Sequence, residues 1–342
     1  MVFVFYGKIG PIRPIGRIRP MIEAIIFLFG SAVGSFLNVV ILRLPSTGLR
    51  TNRSGQVCRL GKEESIIRGR SHCPKCGQVL AWYDLAPLVS FFMLRGRCRA
   101  CQEKISWQYP LVEIATGLLF LLIFNFQFSI FDFAQGKIFN EFSVENLIAT
   151  CFLLYVTCSL VVIFVYDLRH YIIPDVVLFP AVVVAAAYRI FDALAITSSQ
   201  PPLSLRGGEI PPLNLRGGEG ELLINVFMII WPYLLAALAA AAFFLFLVLV
   251  TRGRGMGLGD VKLALLMGLI LGWPNILLAL FLAFGLGALV GVSLILLGKK
   301  TLKSQIPFGP FLVAGALAAL FWGQQIIGFY FRHLVELSKV LW

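Results

Sequence analysis

The feature that most constrains the fold of this chain is a series of apolar runs separated by short polar links. A run of about 20 apolar residues is long enough to cross the hydrocarbon core of a bilayer as a helix. Charged residues make up only 13% of the chain and hydrophobic residues 59%, whereas soluble domains carry about 25% charged residues. The sequence therefore predicts an all-α polytopic membrane protein with about eight transmembrane helices. The runs cover 22–42, 109–128, 144–165, 174–194, 222–250, 261–273, the stretch between Asn275 and Lys299, and 308–330.

The largest polar segment, residues 43–108, is strongly basic. It holds twelve Lys or Arg residues against four Asp or Glu residues. A basic segment can bind nucleic acid, but beside membrane spans an excess of basic residues is typical of loops on the cytoplasmic side. We therefore expect a cytoplasmic loop, with the lipid bilayer as a partner and no nucleic acid partner.

Four cysteines in this loop form two Cys-x-x-Cys pairs, Cys73 with Cys76 and Cys98 with Cys101, and 21 residues separate the pairs. This spacing is of the zinc-ribbon type, and four thiolates complete a tetrahedral site for one structural zinc ion. Cytoplasmic thiols stay reduced, which favours metal binding over disulfides. The alternative is four free cysteines. We interpret the adjacent His72 as a solvated surface residue. A closed four-thiolate site leaves no open coordination position, so zinc would brace the loop without taking part in catalysis.

Two segments resemble neither a span nor a packed domain. Residues 1–20 contain four basic residues, three prolines and no acids, so we expect a disordered extension, and Met21 is an alternative translation start. Residues 198–221 contain a ten-residue tandem repeat rich in Pro and Gly, which predicts a disordered insertion. The predicted order is the extension 1–20, a first transmembrane helix 21–42, the cytoplasmic tetracysteine zinc loop 43–108, and a membrane domain 109–342 that carries the insertion.

The number of spans predicts the side on which each link lies. If loop 43–108 is cytoplasmic, eight spans place the N-terminus outside and the ends of spans three, five and seven in the cytoplasm. The basic residues at those ends agree with this orientation. They are Arg169, Arg252, Arg254, Lys299, Lys300 and Lys303. The basic residues of 1–20 conflict with it, and a start at Met21 would remove the conflict. The same count places Asp167 and Asp260 on the cytoplasmic side, each at the mouth of a helix.

Asp260 follows Gly257-Leu258-Gly259 between two apolar runs. Placing an ionisable residue at the end of a membrane span costs free energy, so such a residue is a candidate for function. The alternative is a structural role, because Asp is also a common helix N-cap. The glycines would let an extended substrate backbone approach. Two carboxylates held close share a proton, so one can activate water while the other polarises a carbonyl group. We therefore interpret Asp167 and Asp260 as the candidate catalytic pair of an aspartic protease.

The residues around these two acids resemble the type IV prepilin peptidases, which are GxGD-type membrane aspartic proteases. The similar stretches are Asp167 with Ile173-Pro174-Asp175, the segment Gly257–Leu263, and the segment Gly34–Pro45. The Gly-x-Gly-Asp element alone also resembles presenilin-like and signal-peptide-peptidase proteases. The resemblance extends over nearly the whole chain from Met21, with 198–221 as the main departure. It implies catalysis by Asp167 and Asp260, with other residues supporting the motif or binding substrate. These supporting residues are Gly257, Gly259, Lys262, Pro174, Asp175 and Glu113. For Glu113 the alternative is a helix-dipole role in a first turn.

The resemblance also implies a reaction and a location. It implies removal of a short basic leader from prepilins and pseudopilins at the bacterial inner membrane, with the active site facing the cytoplasm. Many members also methylate the new N-terminus with S-adenosylmethionine, and the tetracysteine loop is typical of these bifunctional members. The sequence shows no glycine-rich nucleotide loop that would locate an S-adenosylmethionine site.

Two other classes of protein remain as alternatives. The first is an ion-coupled transporter with membrane carboxylates, but transporters usually place ionisable groups near the bilayer midplane, whereas both acids lie at span ends. The second is a zinc-ribbon binding module tethered to a membrane. That interpretation leaves the eight apolar runs and the two acidic motifs without a role.

Overall fold

The computed structural model describes residues 15–44, 50–51, 57–58, 70–73, 75–127, 144–199, 219–252, 256–299 and 306–341. These residues are predominantly helical, as the sequence predicts. Residues 200–218 of the predicted insertion and residues 1–14 of the predicted extension lie outside the described residues. The ends of the insertion, residues 198–199 and 219–221, are helical, so the prediction of disorder is wrong there. Residues 15–20 of that extension are helical and continue into the first span.

The helical elements follow the apolar runs closely. Their bounds are α1 (Ile15–Arg43), α2 (Val89–Met93), α3 (Gln108–Gln127), α4 (Val144–His170), α5 (Asp175–Ser199), α6 (Glu219–Val250), α7 (Leu258–Leu271), α8 (Asn275–Leu296) and α9 (Gly309–Leu341). A 3-10 turn covers Trp82–Leu85. Two short strands, β1 (Arg50–Thr51) and β2 (Val57–Cys58), pair antiparallel.

Seven of the described helices are long and apolar enough to cross a membrane: α1, α3, α4, α5, α6, α8 and α9. The sixth predicted span is α7, which has only 14 residues. At 1.5 Å per residue this helix is about 21 Å long, shorter than the roughly 30 Å hydrocarbon core. Its end at Gly272 explains the short length, because Gly272 adopts a φ of +65°, a conformation that glycine takes at little cost.

The described chain forms two compact units, and the first comprises residues 1–39 and 69–146. Within it α1 and α3 approach closely at glycines. A Cβ atom placed on Gly30 would lie 2.8 Å from Cβ of Phe120, and one on Gly34 would lie 2.9 Å from Cα of Glu113. Small residues at such crossings allow two membrane helices to pack backbone against backbone.

The second unit comprises residues 40–68 and 147–342, and its core joins α4 to α9. Small residues again set the closest contacts. A Cβ atom on Gly268 of α7 would collide with the backbone of Ala237 on α6, and one on Gly315 of α9 would collide with the carbonyl oxygen of Ala279 on α8. Larger apolar side chains such as Ile163, Leu263 and Leu312 fill the space between the helices. This core fixes the positions of the helix ends that carry the acidic residues.

Candidate active site and candidate metal centre

Asp167 lies in the last turn of α4 and is almost fully buried, with 4% of its surface exposed. Its backbone carbonyl accepts a hydrogen bond from the N–H of Tyr171 at 2.8 Å. Tyr171 has a φ of +57°, and a residue in this left-handed conformation ends a helix. Pro174 then accepts the first backbone hydrogen bonds of α5, from Val177 and Leu178. The turn between α4 and α5 is therefore tightly specified, and it holds Asp167 at a helix end.

Asp260 lies in the first turn of α7 and is 9% exposed. The N-cap residue is Gly257, not Asp260, so the interpretation of Asp260 as a plain N-cap is wrong. Asp260 instead reaches back, and its Oδ2 accepts a hydrogen bond from the Gly257 N–H at 3.2 Å. This is the acidic half of a capping box. It uses one carboxylate oxygen and fixes the orientation of the side chain.

The structure brings the two acids together at one end of the helical bundle. The Asp260 carboxylate lies within electrostatic range of the Asp167 carboxylate, which also accepts a hydrogen bond from the backbone N–H of Gly309. Gly309 begins α9, so the positive end of that helix faces Asp167. A Cβ atom on Gly309 would lie only 2.5 Å from Oδ2 of Asp167. Three helix ends, from α4, α7 and α9, therefore form one acidic site.

Gly309 is the residue that sequence reasoning missed. It lies in Pro307-Phe308-Gly309-Pro310, where prolines flank the glycine just before an apolar run. A glycine at the start of a helix and between prolines indicates a fixed backbone with no room for a side chain. That pattern was visible in the sequence, but its partner on α4 was not.

The predicted supporting residues of α5 and α7 also meet each other. The Lys262 ammonium donates to both oxygens of Asp175, at 2.8 and 2.9 Å, and lies 5.1 Å from the centre of the Phe179 ring. Both charged side chains are more than a third exposed. A Cβ atom on Gly259 would lie 3.2 Å from Cβ of Ile173, so the glycine lets α7 begin close to the α4–α5 turn. These contacts join α5 to α7 beside the acid pair.

Glu113 belongs to the first unit and has a different environment. It is the sixth residue of α3, so its predicted helix-dipole role in a first turn is wrong. Its buried carboxylate accepts a hydrogen bond from the Leu88 N–H at 2.8 Å and another from the Ser35 hydroxyl group. Leu88 has a φ of +59° and precedes α2. Glu113 therefore fixes a strained segment of the cysteine loop against α3.

Each Cys-x-x-Cys pair forms the same type of turn. In the first, the Gly77 N–H bonds to the Cys73 carbonyl at 2.9 Å, and in the second the Gln102 N–H bonds to the Cys98 carbonyl at 3.0 Å. Gly77 and Gln102 both have positive φ, +71° and +58°. Two equivalent turns thus present two pairs of thiols to one another.

The four thiols converge on a single point. All four Sγ atoms lie within 4.8 Å of one another, and the distance between the Sγ atoms of Cys73 and Cys101 is 3.9 Å. Tetrahedral thiolates bound at about 2.3 Å would lie roughly 3.8 Å apart, so the residues fit a bound metal ion. The backbone N–H groups of Cys76 and Lys75 lower the pKa of the Cys73 thiol to about 7, which favours the thiolate form that binds metals. This cluster could hold one metal ion.

The fold and the acid pair define a class: a polytopic membrane protein with two buried, interacting carboxylates at helix ends, accompanied by a four-thiol centre. Family models match two parts of the chain. Residues 28–126 match the bacterial peptidase A24 N-terminal domain, and residues 219–292 match the type IV leader peptidase family. The chain belongs to the type IV leader peptidase family, as its similarity to whole relatives also shows.

Three relatives, each named prepilin leader peptidase/N-methyltransferase, illustrate this similarity. The Legionella pneumophila protein is 30% identical over 322 residues, which cover 90% of this chain and 94% of that protein. The Pseudomonas aeruginosa protein is 30% identical over 89% of this chain and 92% of its own length. The Myxococcus xanthus protein is 48% identical over 105 residues, only 31% of this chain and 27% of that protein. No solved structure gives a significant match. None of these comparisons supports an ion-coupled transporter.

Proposed function

We propose that this chain is a membrane aspartic endopeptidase that removes the leader from type IV prepilins and pseudopilins, with Asp167 and Asp260 as its catalytic pair. The observation that carries the proposal is the meeting of these two buried acids on α4 and α7 in a chain of the leader peptidase family. We place the active site at the cytoplasmic face of the bacterial inner membrane, because Arg169 lies in the last turn of α4 and Arg252 follows the end of α6.

The pair needs no covalent nucleophile. In the proposed reaction, the ionised carboxylate takes a proton from water, and the water oxygen attacks the carbonyl carbon of the scissile peptide. The protonated carboxyl group gives its proton to the carbonyl oxygen. When the tetrahedral intermediate collapses, the C–N bond breaks, the amine leaves with the proton taken from water, and one hydroxyl group of the intermediate returns its proton to the carboxylate that had donated one. The Gly309 N–H and the Gly257 N–H each hold one of the acids in place.

The glycines and the α5–α7 pair have supporting roles in this proposal. Among the described residues, a Cβ atom on Gly257 would meet no atom closer than 3.8 Å, so an extended substrate backbone has room beside Asp260. Lys262, Asp175 and Pro174 position the beginnings of α5 and α7. The Glu113 carboxylate is already occupied by Leu88 and Ser35, which supports a positioning role for Glu113 rather than direct contact with substrate.

We propose that the metal held by Cys73, Cys76, Cys98 and Cys101 is one zinc ion. A tetrahedral set of four sulfur ligands is typical of structural zinc, and the two equivalent turns present such a set. With all four positions taken by protein, the zinc would stabilise the loop and would not activate water.

We further propose that the chain methylates the new N-terminus, with S-adenosylmethionine as the methyl donor. The support is the name shared by relatives that cover most of the chain. No residue is assigned to the methyl donor, and no step of the peptide cleavage depends on it.

Mass spectrometry of a prepilin-like substrate tests both activities. The substrate is incubated with the purified protein in detergent, with and without S-adenosylmethionine, and the product is analysed for its new N-terminus and for one added methyl group. We expect cleavage by the unchanged protein and by Glu145→Gln, which alters an exposed acid at the far end of α4. We expect no cleavage by Asp167→Asn or Asp260→Asn. Cleavage by either Asn variant would rule out the proposed pair.

A further inference from the structure

The short helix α2 exposes an apolar surface within the cysteine loop. We call it the α2 face and define it by Val89, Phe92, Met93 and Trp107. Phe92, Met93 and Trp107 are 61%, 79% and 65% exposed. The buried ring of Phe91 joins them, since its centre lies 5.9 Å from that of Phe92 and 5.1 Å from that of Trp107. An exposed apolar surface of this kind usually contacts a partner or a membrane.

The α2 face continues an exposed apolar side of α3. Trp107 immediately precedes α3, a candidate span. Leu111 and Leu118 of α3 are also exposed, and they lie four and eleven residues after Trp107, on the same side of a helix. Tryptophan is enriched where membrane helices enter the headgroup region. The ring contact between Phe91 and Trp107 therefore places α2 at the depth where α3 begins.

Basic residues follow α2 in the sequence. Residues 94–104 contain Arg95, Arg97, Arg99 and Lys104 against one acid, Glu103. Arg99 pairs with Asp84 at 2.9 Å. In the described part of the chain, Arg95, Arg97 and Lys104 have no acidic partner. Apolar side chains beside unpaired basic residues match the two layers of an anionic membrane surface, acyl chains and phosphates.

We propose that the α2 face rests on the membrane surface, with Phe92, Met93 and Trp107 at the acyl boundary and Arg95 and Arg97 on the phosphates of anionic phospholipids. The cysteine loop would then be held against the bilayer at α2 as well as through α3. This inference concerns the first unit alone and does not depend on the proposed peptidase activity.

Photo-crosslinking in nanodiscs tests the proposal. The photoreactive residue p-benzoylphenylalanine is placed at Phe92, at Met93 and, as a matched control, at the exposed Gln78 in the first cysteine turn of the same unit. The full-length protein is reconstituted either with phosphatidylglycerol mixed into phosphatidylcholine or with phosphatidylcholine alone, and the adducts are identified by mass spectrometry. We expect lipid adducts from positions 92 and 93 to exceed those from position 78 at least fivefold.

The basic residues provide a second, independent measurement. One Arg near an anionic surface changes binding roughly fivefold, so Arg95→Gln with Arg97→Gln should lower crosslinking from position 93 in phosphatidylglycerol discs to the level in phosphatidylcholine. Metal content shows that the loop remains folded in each variant. Equal lipid crosslinking from positions 78, 92 and 93 would overturn the proposal. So would adducts formed mainly with a prepilin-like peptide or with a second copy of the chain.

Discussion

At the scale of single residues, the acid site depends on a glycine as much as on its two carboxylates. Gly309 donates its backbone N–H to Asp167 and leaves no space for a side chain between α9 and the acid. Its φ does not lie in the left-handed region, so alanine would be permitted by the backbone. The harmful effect of a substitution at Gly309 therefore comes from the steric contact with Asp167 and not from backbone strain.

We predict that Gly309→Ala lowers the rate of peptide cleavage at least tenfold while the helices still form. The added Cβ atom would lie 2.5 Å from Oδ2 of Asp167, so the carboxylate must move, and small misplacements of catalytic groups cost up to about 100-fold in rate. The measurement is kcat for a prepilin-like peptide. Gly291→Ala on α8 is the control, because no described residue lies within 4 Å of its Cβ position. Full activity of Gly309→Ala would contradict this role.

At the scale of helices, the short α7 needs support at its far end because it ends within the bundle. The Arg189 side chain of α5 supplies it, with hydrogen bonds from Nε to the Leu269 carbonyl at 2.9 Å and from Nη2 to the Ile270 carbonyl. Its guanidinium lies 3.8 Å from the centre of the Tyr233 ring on α6. The last carbonyl groups of a helix have no hydrogen-bond partner within the helix. Arg189 donates hydrogen bonds to two of these carbonyl groups and in this way joins three helices.

We predict that Arg189→Met lowers the free energy of unfolding by about 3 kcal/mol, because it removes two charge-assisted hydrogen bonds and leaves buried carbonyl groups unpaired. Denaturation in mixed micelles measures this change. Arg332→Met on α9 is the matched control. Its exposed side chain bonds to the Gly328 carbonyl of its own helix, and such surface changes stay within about 0.5 kcal/mol. Equal stability of the two variants would refute the capping role of Arg189.

The sequence predicted the bounds of the helices well, but it did not predict which residues of different helices contact one another. Hydropathy is a local property, so the bounds of α3 and α4 could be located to within a few residues. The run predicted as 261–273 likewise ends within two residues of the observed end of α7 at Leu271, but the sequence did not show that Arg189 of another helix binds that end. In the same way the sequence placed Asp167 and Asp260 at helix ends but could not identify Gly309 or Leu88 as partners of buried acids. Tertiary packing determines those partners.

At the scale of the whole molecule, the two compact units depend on different interactions. The helices of the second unit share an apolar core. The cysteine loop of the first unit has few buried side chains, among them Cys73, Cys98 and Phe91, and two of these three are candidate metal ligands. Because the described part of the loop has so small a core, we expect it to depend on a bound metal for its stability.

We predict that removing the metal increases hydrogen exchange in residues 70–107 but leaves exchange in α4, α7 and α9 unchanged. The measurement compares the protein before and after treatment with a chelator, and restoring zinc should reverse the change. Cys98→Ser provides the matched genetic test, since it removes one ligand without altering the rest of the loop. Unchanged exchange in residues 70–107 after loss of the metal would show that the loop does not depend on it.

The central claim is that Asp167 and Asp260 act as one catalytic unit, and a double-mutant cycle tests it most directly. Cleavage rates of a prepilin-like peptide are measured for Asp167→Asn, for Asp260→Asn and for the double variant. Residues that act as a unit give strongly non-additive losses. We therefore expect each single variant to lose at least about 1,000-fold and the double variant to lose no more than either. Substantial activity in a single variant, or a double loss equal to the product of the two single losses, would contradict the account.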